Sequence, residues 1–360
     1  MRNPFLLKFL LAAVLLLGNI SFANISDTSS KEPEKDLKTK IKEDIDHHIK
    51  DSHSFTFFSD SKKNKHYGFS LPVILWDDGL KVFSSSKFHH GETLAEVDGN
   101  YYKLYHSKIY KTDAEGTINY DEDHHATNVK PIDFSITKNV VMMFVTGLLM
   151  FLLFSGLAKS FGKGPIAKGA GRFFEPIVLY IRDDIARPNI GETKYKRFMP
   201  YLLTVFFFVW FLNLFGLTPL GVNVTGNIAV TFALAIITFL ITQFSGNGNY
   251  WKHIFWMPGV PVPMKFILAP IELLGVFIKP FALMIRLYAN IMAGHVVLMS
   301  IIALVFTVQN WLGGGLSLVL AFFLSIIELL VAALQAYIFT LLSALYFGFA
   351  VEEHEHDEAH

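Results

Sequence analysis

The 360-residue chain has no cysteine, which excludes disulfides, thiolate catalysis and Cys-ligated zinc or iron–sulfur sites. Charge is scarce over a long stretch: the 153 residues from Met199 to Val351 carry six charged side chains, Lys252, Lys265, Glu272, Lys279, Arg286 and Glu328. A soluble domain of that size needs a wetted polar surface, and six charges cannot supply one, so this half is read as embedded in a bilayer. Net charge is zero and arginines are few, which argues against nucleic acid as a partner. No GxxxxGK[ST] loop occurs, and GKGPIAKGAGR is a basic Gly-rich stretch without that order. Nucleotide chemistry, if the protein serves any, belongs to partners. No internal repeat runs through the apolar segments, which weighs against a secondary transporter or autonomous channel.

What is present is a 52% hydrophobic, 15% aromatic composition with a clear order along the chain. Arg2 and Lys8 flank a short apolar start, and Phe9 to Gly18 is followed by Ser21-Phe22-Ala23. This order predicts a signal peptide over residues 1–23, cleaved after Ala23. The competing reading, an uncleaved first transmembrane helix, leaves the following segment on the same outer side.

Residues 24–138 hold 16 Lys/Arg, 20 Asp/Glu and nine of the 14 histidines. They are expected to form an extracytoplasmic, in a bacterium periplasmic, region. Partial alternation in Tyr67–Trp76, in KVFSSSKF and in NYYKLYHSKIYK predicts a few β-strands. The His pairs 47–48, 89–90 and 124–125 match no metal-ligand spacing, so solvated or capping histidines are the expectation and no metal or cofactor is assigned.

Five apolar segments follow within residues 139–350: Val140–Ala158, Met199 onward, Gly226–Phe244, about 266–307 and about 316–349. Each is long enough for a ~30 Å hydrocarbon core, and the last two exceed it at ~1.5 Å per residue. The fold class is therefore an all-α polytopic membrane protein with two long tilted C-terminal helices and a small N-terminal region bearing strands. Pro280 predicts a kink or break in the fourth segment. The loop 159–198 carries nine Lys/Arg against four Asp/Glu, which places it in the cytoplasm by the positive-inside rule. Its stretch FFEPIVLYIRDDIA has the spacing of an interfacial helix. Counting onward, the acidic, His-bearing tail 351–360 also ends in the cytoplasm, as a solvated tail.

Ionisable groups inside a membrane are costly and each is a functional candidate. Arg286 and Asn290 are four apart and share a helix face. His295, nine residues beyond Arg286, is turned by about 180° and lies about 13.5 Å further along. Glu328 and Gln335 are seven apart, on one face, about 10.5 Å apart in depth. If the last two helices are antiparallel with Gln335 beside Arg286, Glu328 falls at nearly the depth of His295 in the outer half. Glu272 lies about 21 Å toward the cytoplasm on a continuous helix. Arg286 cannot deprotonate, so it separates two half-routes rather than relaying protons. The plainer readings are a static ion pair for Arg286, an interfacial charge for Glu272, helix-to-helix hydrogen bonds for His295 and Gln335, and a snorkelling Lys279.

The segment PIELLGVFIKPFALMIRLYANIMAGHVVL, Pro270 to Leu298, together with Glu328 through Phe339, resembles subunit a of the F-type ATP synthase. Phe208–Leu220 and Asn223–Ala235 resemble it as well, and the likeness covers roughly residues 140–350. The resemblance implies a proton-translocating stator subunit of the membrane sector, not itself catalytic, in a multi-pass protein of the bacterial inner membrane. It implies as partners the rotating c-ring, the peripheral-stalk subunit b and the assembled synthase, with protons as cargo. In it Arg286 faces the carboxylates of the c-ring, Asn290 is its polar neighbour and Gln335 approaches from the last helix. Many bacterial members have Glu at the position of His295 and His at that of Glu328, whereas this chain has them exchanged, which points to two neighbours sharing one role. The outer region of about 115 residues is a second departure, with a guessed place over the outer mouth of the channel or against other stator parts.

Overall fold

The computed structural model describes residues 51–60, 65–91, 93–123, 125–161, 171–218, 222–257, 259–307 and 311–352. The expected signal peptide, the charged stretch up to residue 50 and most of the acidic tail lie outside the described residues.

The polar region forms a small β domain. Strands β1 (Ser54–Asp60) and β2 (Lys65–Ser70) pair antiparallel, with a register shift between Thr56 and Phe58. Strands β3 (Pro72–Trp76), β4 (Leu80–Ser84) and β8 (Ile132–Asp133) form a second sheet in the order β4-β3-β8, and β5 (Ala95–Val97), β6 (Asn100–Tyr105) and β7 (Lys108–Thr112) a third. The hairpins close where the chain accepts positive φ. Asp98-Gly99 (50° and 75°) joins β5 to β6, and His106-Ser107 (48° and 64°) joins β6 to β7, the geometry that matches the twist of the flanking strands. Alternation buries Val73, Leu75 and Phe83, which pack with Phe88, Ala95, Tyr102 and Ile109. Beside this core the Tyr102 hydroxyl donates to Asp77 (2.8 Å), which also accepts from Lys111 (2.8 Å). The Lys111 bond holds the Asp77 carboxyl below its usual range, against the upward push of burial.

The apolar half contains five helices long and apolar enough to span a membrane: α1 (Lys138–Phe161), α4 (Tyr195–Gly216), α5 (Ile228–Ser245), α7 (Val262–Thr307) and α8 (Trp311–Val351). Short elements join them. The basic loop folds into α2 (Gly171–Tyr180), a π-helical turn (Ile181–Ala186) and α3 (Arg187–Ile190), while α6 (Gly248–Phe255) links α5 to α7. As the spacing in FFEPIVLYIRDDIA required, the loop buries one face, Ile181, Ile185 and Ala186, against α4 and α8.

Of the two outcomes expected at Pro280, a break does not occur: α7 is one helix through both Pro270 and Pro280. A proline removes one backbone donor and crowds the carbonyl four residues back, here that of Val276. Val276 is itself packed with Tyr250, Ile254 and Ala350, so this turn is supported by neighbouring helices. At ~1.5 Å per residue α7 and α8 are about 69 and 62 Å long. Both are longer than the hydrocarbon core is thick. α8 packs on both α4 and α7, and α5 leans on α7 and α8.

Candidate functional site

Two uncovered rows of apolar side chains frame the site. Along α7, Leu274, Ile278, Phe281 and Ile285 are exposed at helical spacing, and on α8 Ile326, Ile327, Leu330 and Leu334 are exposed too. Arg286 sits half-buried at the border of the α7 stripe, and Asn290, one turn on, is exposed. The inward neighbours Leu283, Met284 and Leu287 are buried, so the helix presents this polar pair at the edge of an otherwise apolar wall.

Toward the end that carries the β domain, two glycines make room for two titratable side chains. A Cβ on Gly294 would stand 2.6 Å from Oε1 of Glu328, so the carboxylate rests directly on α7 beside His295. A Cβ on Gly216, at the end of α4, would stand 3.3 Å from Nε2 of His295 and 3.3 Å from the carbonyl oxygen of Val222. Oε2 of Glu328 is buried and, among the described residues, has no hydrogen-bond partner. Counting from the Gly294 contact along antiparallel helices, Gln335 is level with Leu287, next to Arg286. Gln335 is buried between Ala332 and Ala336, whose small side chains let the helices approach.

Three residues of this region were not candidates from sequence: Asn213, Asn223 and Thr225. All are buried. The Thr225 hydroxyl donates to Oδ1 of Asn213 (2.7 Å), and Nδ2 of Asn213 donates to the carbonyl of Ala332 (3.4 Å), one turn from Glu328. Nδ2 of Asn223 donates to Sδ of Met292 (3.4 Å), and its Oδ1 accepts from the Gly226 backbone N–H (3.0 Å). As residues they signalled only an uncharged polar side chain in an apolar run, which buried water or another helix satisfies as readily, although all three fall in the stretches Phe208–Leu220 and Asn223–Ala235 that share the resemblance. The partner that gives Asn213 meaning lies 119 residues away.

On the other side of Arg286, polar groups form a second, separate set. Lys279 holds its ammonium over the rings of Tyr346 (5.7 Å) and Phe349 (5.9 Å) on α8, rather than simply snorkelling. With Thr238, Thr242, Gln243, Tyr250 and Tyr346 it lines a cavity of about 10 Å³, the room of about one water. Tyr201 and Thr238 share a hydrogen bond of 2.6 Å. Glu272 lies on this side, near enough to α6 for its charge to act on Tyr250. Burial pushes the Tyr250 phenol up and Glu272 adds to it, while the hydrogen bond with Gln243 opposes both. The C-terminal carbonyl of α8 is capped at the same end: Val351 O accepts from Lys194 Nζ (2.7 Å) and from Asn247 Nδ2 (3.1 Å). Among the described residues no group of three or more His, Asp or Glu side chains could hold a metal ion.

A family model described as ATP synthase A chain matches residues 140–348, and a model described as a domain of unknown function matches residues 44–134. ATP synthase subunit a of Chloroherpeton thalassium is 45% identical over 237 residues, 63% of this chain and 70% of that protein. Its counterpart in Anaeromyxobacter sp. is 42% identical over 238 residues, 64% of this chain and 57% of that one. ATP synthase subunit a 2 of Prosthecochloris aestuarii is 37% identical over 309 residues, 81% of this chain and 94% of that one. A match of that extent reaches back beyond the membrane helices into the residues of the β domain.

Proposed function

The chain belongs to the ATP synthase A chain family, and from that premise we propose that Arg286 divides two offset half-routes that load and unload protons on carboxylates of a rotating c-ring. The family supports the general role of a proton-conducting stator subunit in a multi-pass membrane protein. The observation that carries the finer reading is the placing of the polar groups. Glu328, His295, Asn213, Asn223 and Thr225 gather on one side of Arg286, and Glu272, Lys279, Tyr250 and the Thr238–Thr242 face on the other.

An arginine stays charged at any working pH. It therefore blocks a proton from passing directly between the two sets, and it favours an ionised carboxylate opposite itself. The exposed apolar stripes of α7 and α8 suit the surface of a rotor, with Arg286 and Asn290 at their edge. A rotor carboxylate gives up its proton on approaching Arg286 and takes one from the other route after leaving it. Gln335, level with the Arg286 turn, donates or accepts as the guanidinium changes partners.

The basic loop 159–198 orients this assembly with α2 and α3 in the cytoplasm, the β domain in the periplasm and the C-terminus of α8 inside. The half-route holding His295 and Glu328 is then the outer one, and that holding Glu272 the inner one. The c-ring, the peripheral-stalk subunit b and the assembled synthase are the partners this reading requires. Proton-driven ATP synthesis in inverted vesicles tests it: Arg286→Ala should abolish synthesis and permit passive proton leak. Synthesis near the unsubstituted rate overturns it. Arg286→Lys should also be severely impaired, since a compact ammonium lacks the planar donor fork and deprotonates more readily when desolvated.

A further inference from the structure

The link between α4 and α5 reads Val222-Asn223-Val224-Thr225, apolar and polar in alternation, and all four side chains are buried. The polar pair belongs to the site: Thr225 donates to Asn213, and Asn223 reaches Met292. The apolar pair belongs to a different body. Val222 and Val224 share one buried cluster with Leu212 of α4, Met142 of α1, and Phe55 and Leu71 of the β domain. Phe55 is the second residue of β1 and Leu71 joins β2 to β3. The domain and the link thus share one apolar core. The carbonyl of Val222 also faces the Gly216 α-carbon at the spot where the His295 imidazole approaches it.

The domain is fastened so that it can bear on the link. Where the chain enters and leaves it, His53 Nε2 meets Asp133 Oδ2 at 2.9 Å, the Lys138 amide donates to the Ser52 carbonyl (2.9 Å) and the Asn139 amide to Asp51 Oδ1 (3.3 Å). The first residues of α1 are thereby tied to the first residues of the domain.

We propose that the β domain is a positioning element of the outer proton route: Phe55 and Leu71 press on Val222 and Val224, and so hold Asn223, Thr225 and the Val222 carbonyl in place around His295 and Glu328. This rests on the function proposed above for that route. The titratable and charged groups around the junction are His295 on α7, Glu328 on α8, His53, Asp51 and Asp133 at the edges of the domain, and Lys138 at the start of α1. Phe55 and Leu71 carry no proton themselves. Their effect is on geometry, and it is read through the pH dependence of proton entry from the outer side.

The test uses the assembled synthase in proteoliposomes carrying Leu71→Ala, Val224→Ala or both. Each single substitution should shift the outer-pH midpoint of ATP synthesis by about half a unit, the scale of a modest change in local environment. The inner-pH midpoint should stay where it is. The double substitution should shift the outer midpoint no further than the larger single one, because both remove the same contact. Additive shifts, or unchanged outer midpoints in assembled enzyme, overturn the proposal. Should Leu71→Ala fail to assemble, Val224→Ala leaves the domain itself intact, and an unmoved midpoint in it is sufficient to overturn. Phe88→Leu in the domain's own core controls for general weakening, and an equal shift from it also overturns the positioning role. Because the chain has no cysteine, Val224→Cys adds an independent readout. It should resist a membrane-impermeant maleimide, and become at least tenfold more reactive when Leu71→Ala is added. Failure of the underlying reading has a different signature, retention of coupled synthesis in Arg286→Ala.

Discussion

Two titratable residues of this chain owe their position to the absence of side chains opposite them. Glu328 lies on the α-carbon of Gly294 and His295 against that of Gly216. Gly294→Ala places a methyl group 2.6 Å from the Glu328 oxygen and must move the carboxylate aside. ATP synthesis should fall on the order of tenfold, ~1.4 kcal/mol in barrier height, while the amount of subunit in the membrane stays unchanged on an immunoblot. His295 and Glu328 should act as a unit in the outer route. Exchanging both, His295→Glu with Glu328→His, should recover proton pumping lost in either single exchange, because each single exchange puts two like groups at the site. Strictly additive losses across the four combinations would show that the residues do not share a role. In the β domain, Asp133 illustrates linkage outside the membrane. Burial alone would raise its carboxyl, but hydrogen bonds from His53 and Ser135 outweigh it and leave the value lowered. A lowered carboxyl contributes stability that is present above the ordinary Asp value and is lost as pH falls through the folded one. Hydrogen exchange of the Ser52–Ser54 and Asp133–Asn139 amides should therefore be unchanged from pH 7 down to 5 after correction for intrinsic rates, and accelerate below about 4. Asp133→Asn should remove that acid dependence.

Among the elements, α8 carries most of the architecture. It packs on both α4 and α7, its Glu328 rests on Gly294 and its Gln335 is level with the Arg286 turn, and its last carbonyl is capped by Lys194 and Asn247. Near that cap Gly348 faces the backbone carbonyl of Asn189 in α3, where any side chain would collide with main chain. Backbone cannot swing away as a side-chain tip can, so Gly348→Val should cost at least the 1–3 kcal/mol typical of overpacking. Measured as subunit retained after detergent extraction and mild heating, Gly348→Val should be depleted several-fold relative to Gly315→Ala, whose added Cβ meets nothing. The helix α7 teaches a different lesson. Pro280 is a reason to expect a kink or break, since a proline ordinarily costs about 3 kcal/mol inside a helix. The helix nevertheless continues without a break; the lost hydrogen bond is a single one, and Val276, one turn earlier, is packed against α6 and Ala350. Lys279 is likewise held over the Tyr346 and Phe349 rings, a partnership that becomes visible only once α8 is laid alongside.

At the scale of the whole molecule, a charged β domain is seated on one end of a nearly uncharged helical bundle, and the two parts were legible to different depths. The five spans follow from the sequence alone, because runs of about 20 residues without charge have one stable environment, in which the helix satisfies its own backbone. Arg286 stands out in the sequence for the same reason, a fixed charge in such a run being costly, and Asn290 shares its helix face. Strands β3, β4, β6 and β7 could be read from the partial alternation of their segments. The rest needed the tertiary structure. Asn213 looks like any polar residue in an apolar helix until Thr225 and Ala332 are brought to it, and Phe55 and Leu71 look like ordinary core residues of a β domain until the fold gathers them into one cluster with Val222 and Val224. Burial and periodicity are local properties written residue by residue, so the sequence determines which segments enter the membrane and which faces are apolar. Which buried group meets which depends on the register of helices far apart in the chain, set by the summed packing of many weak contacts, and that choice is made only when the whole fold closes.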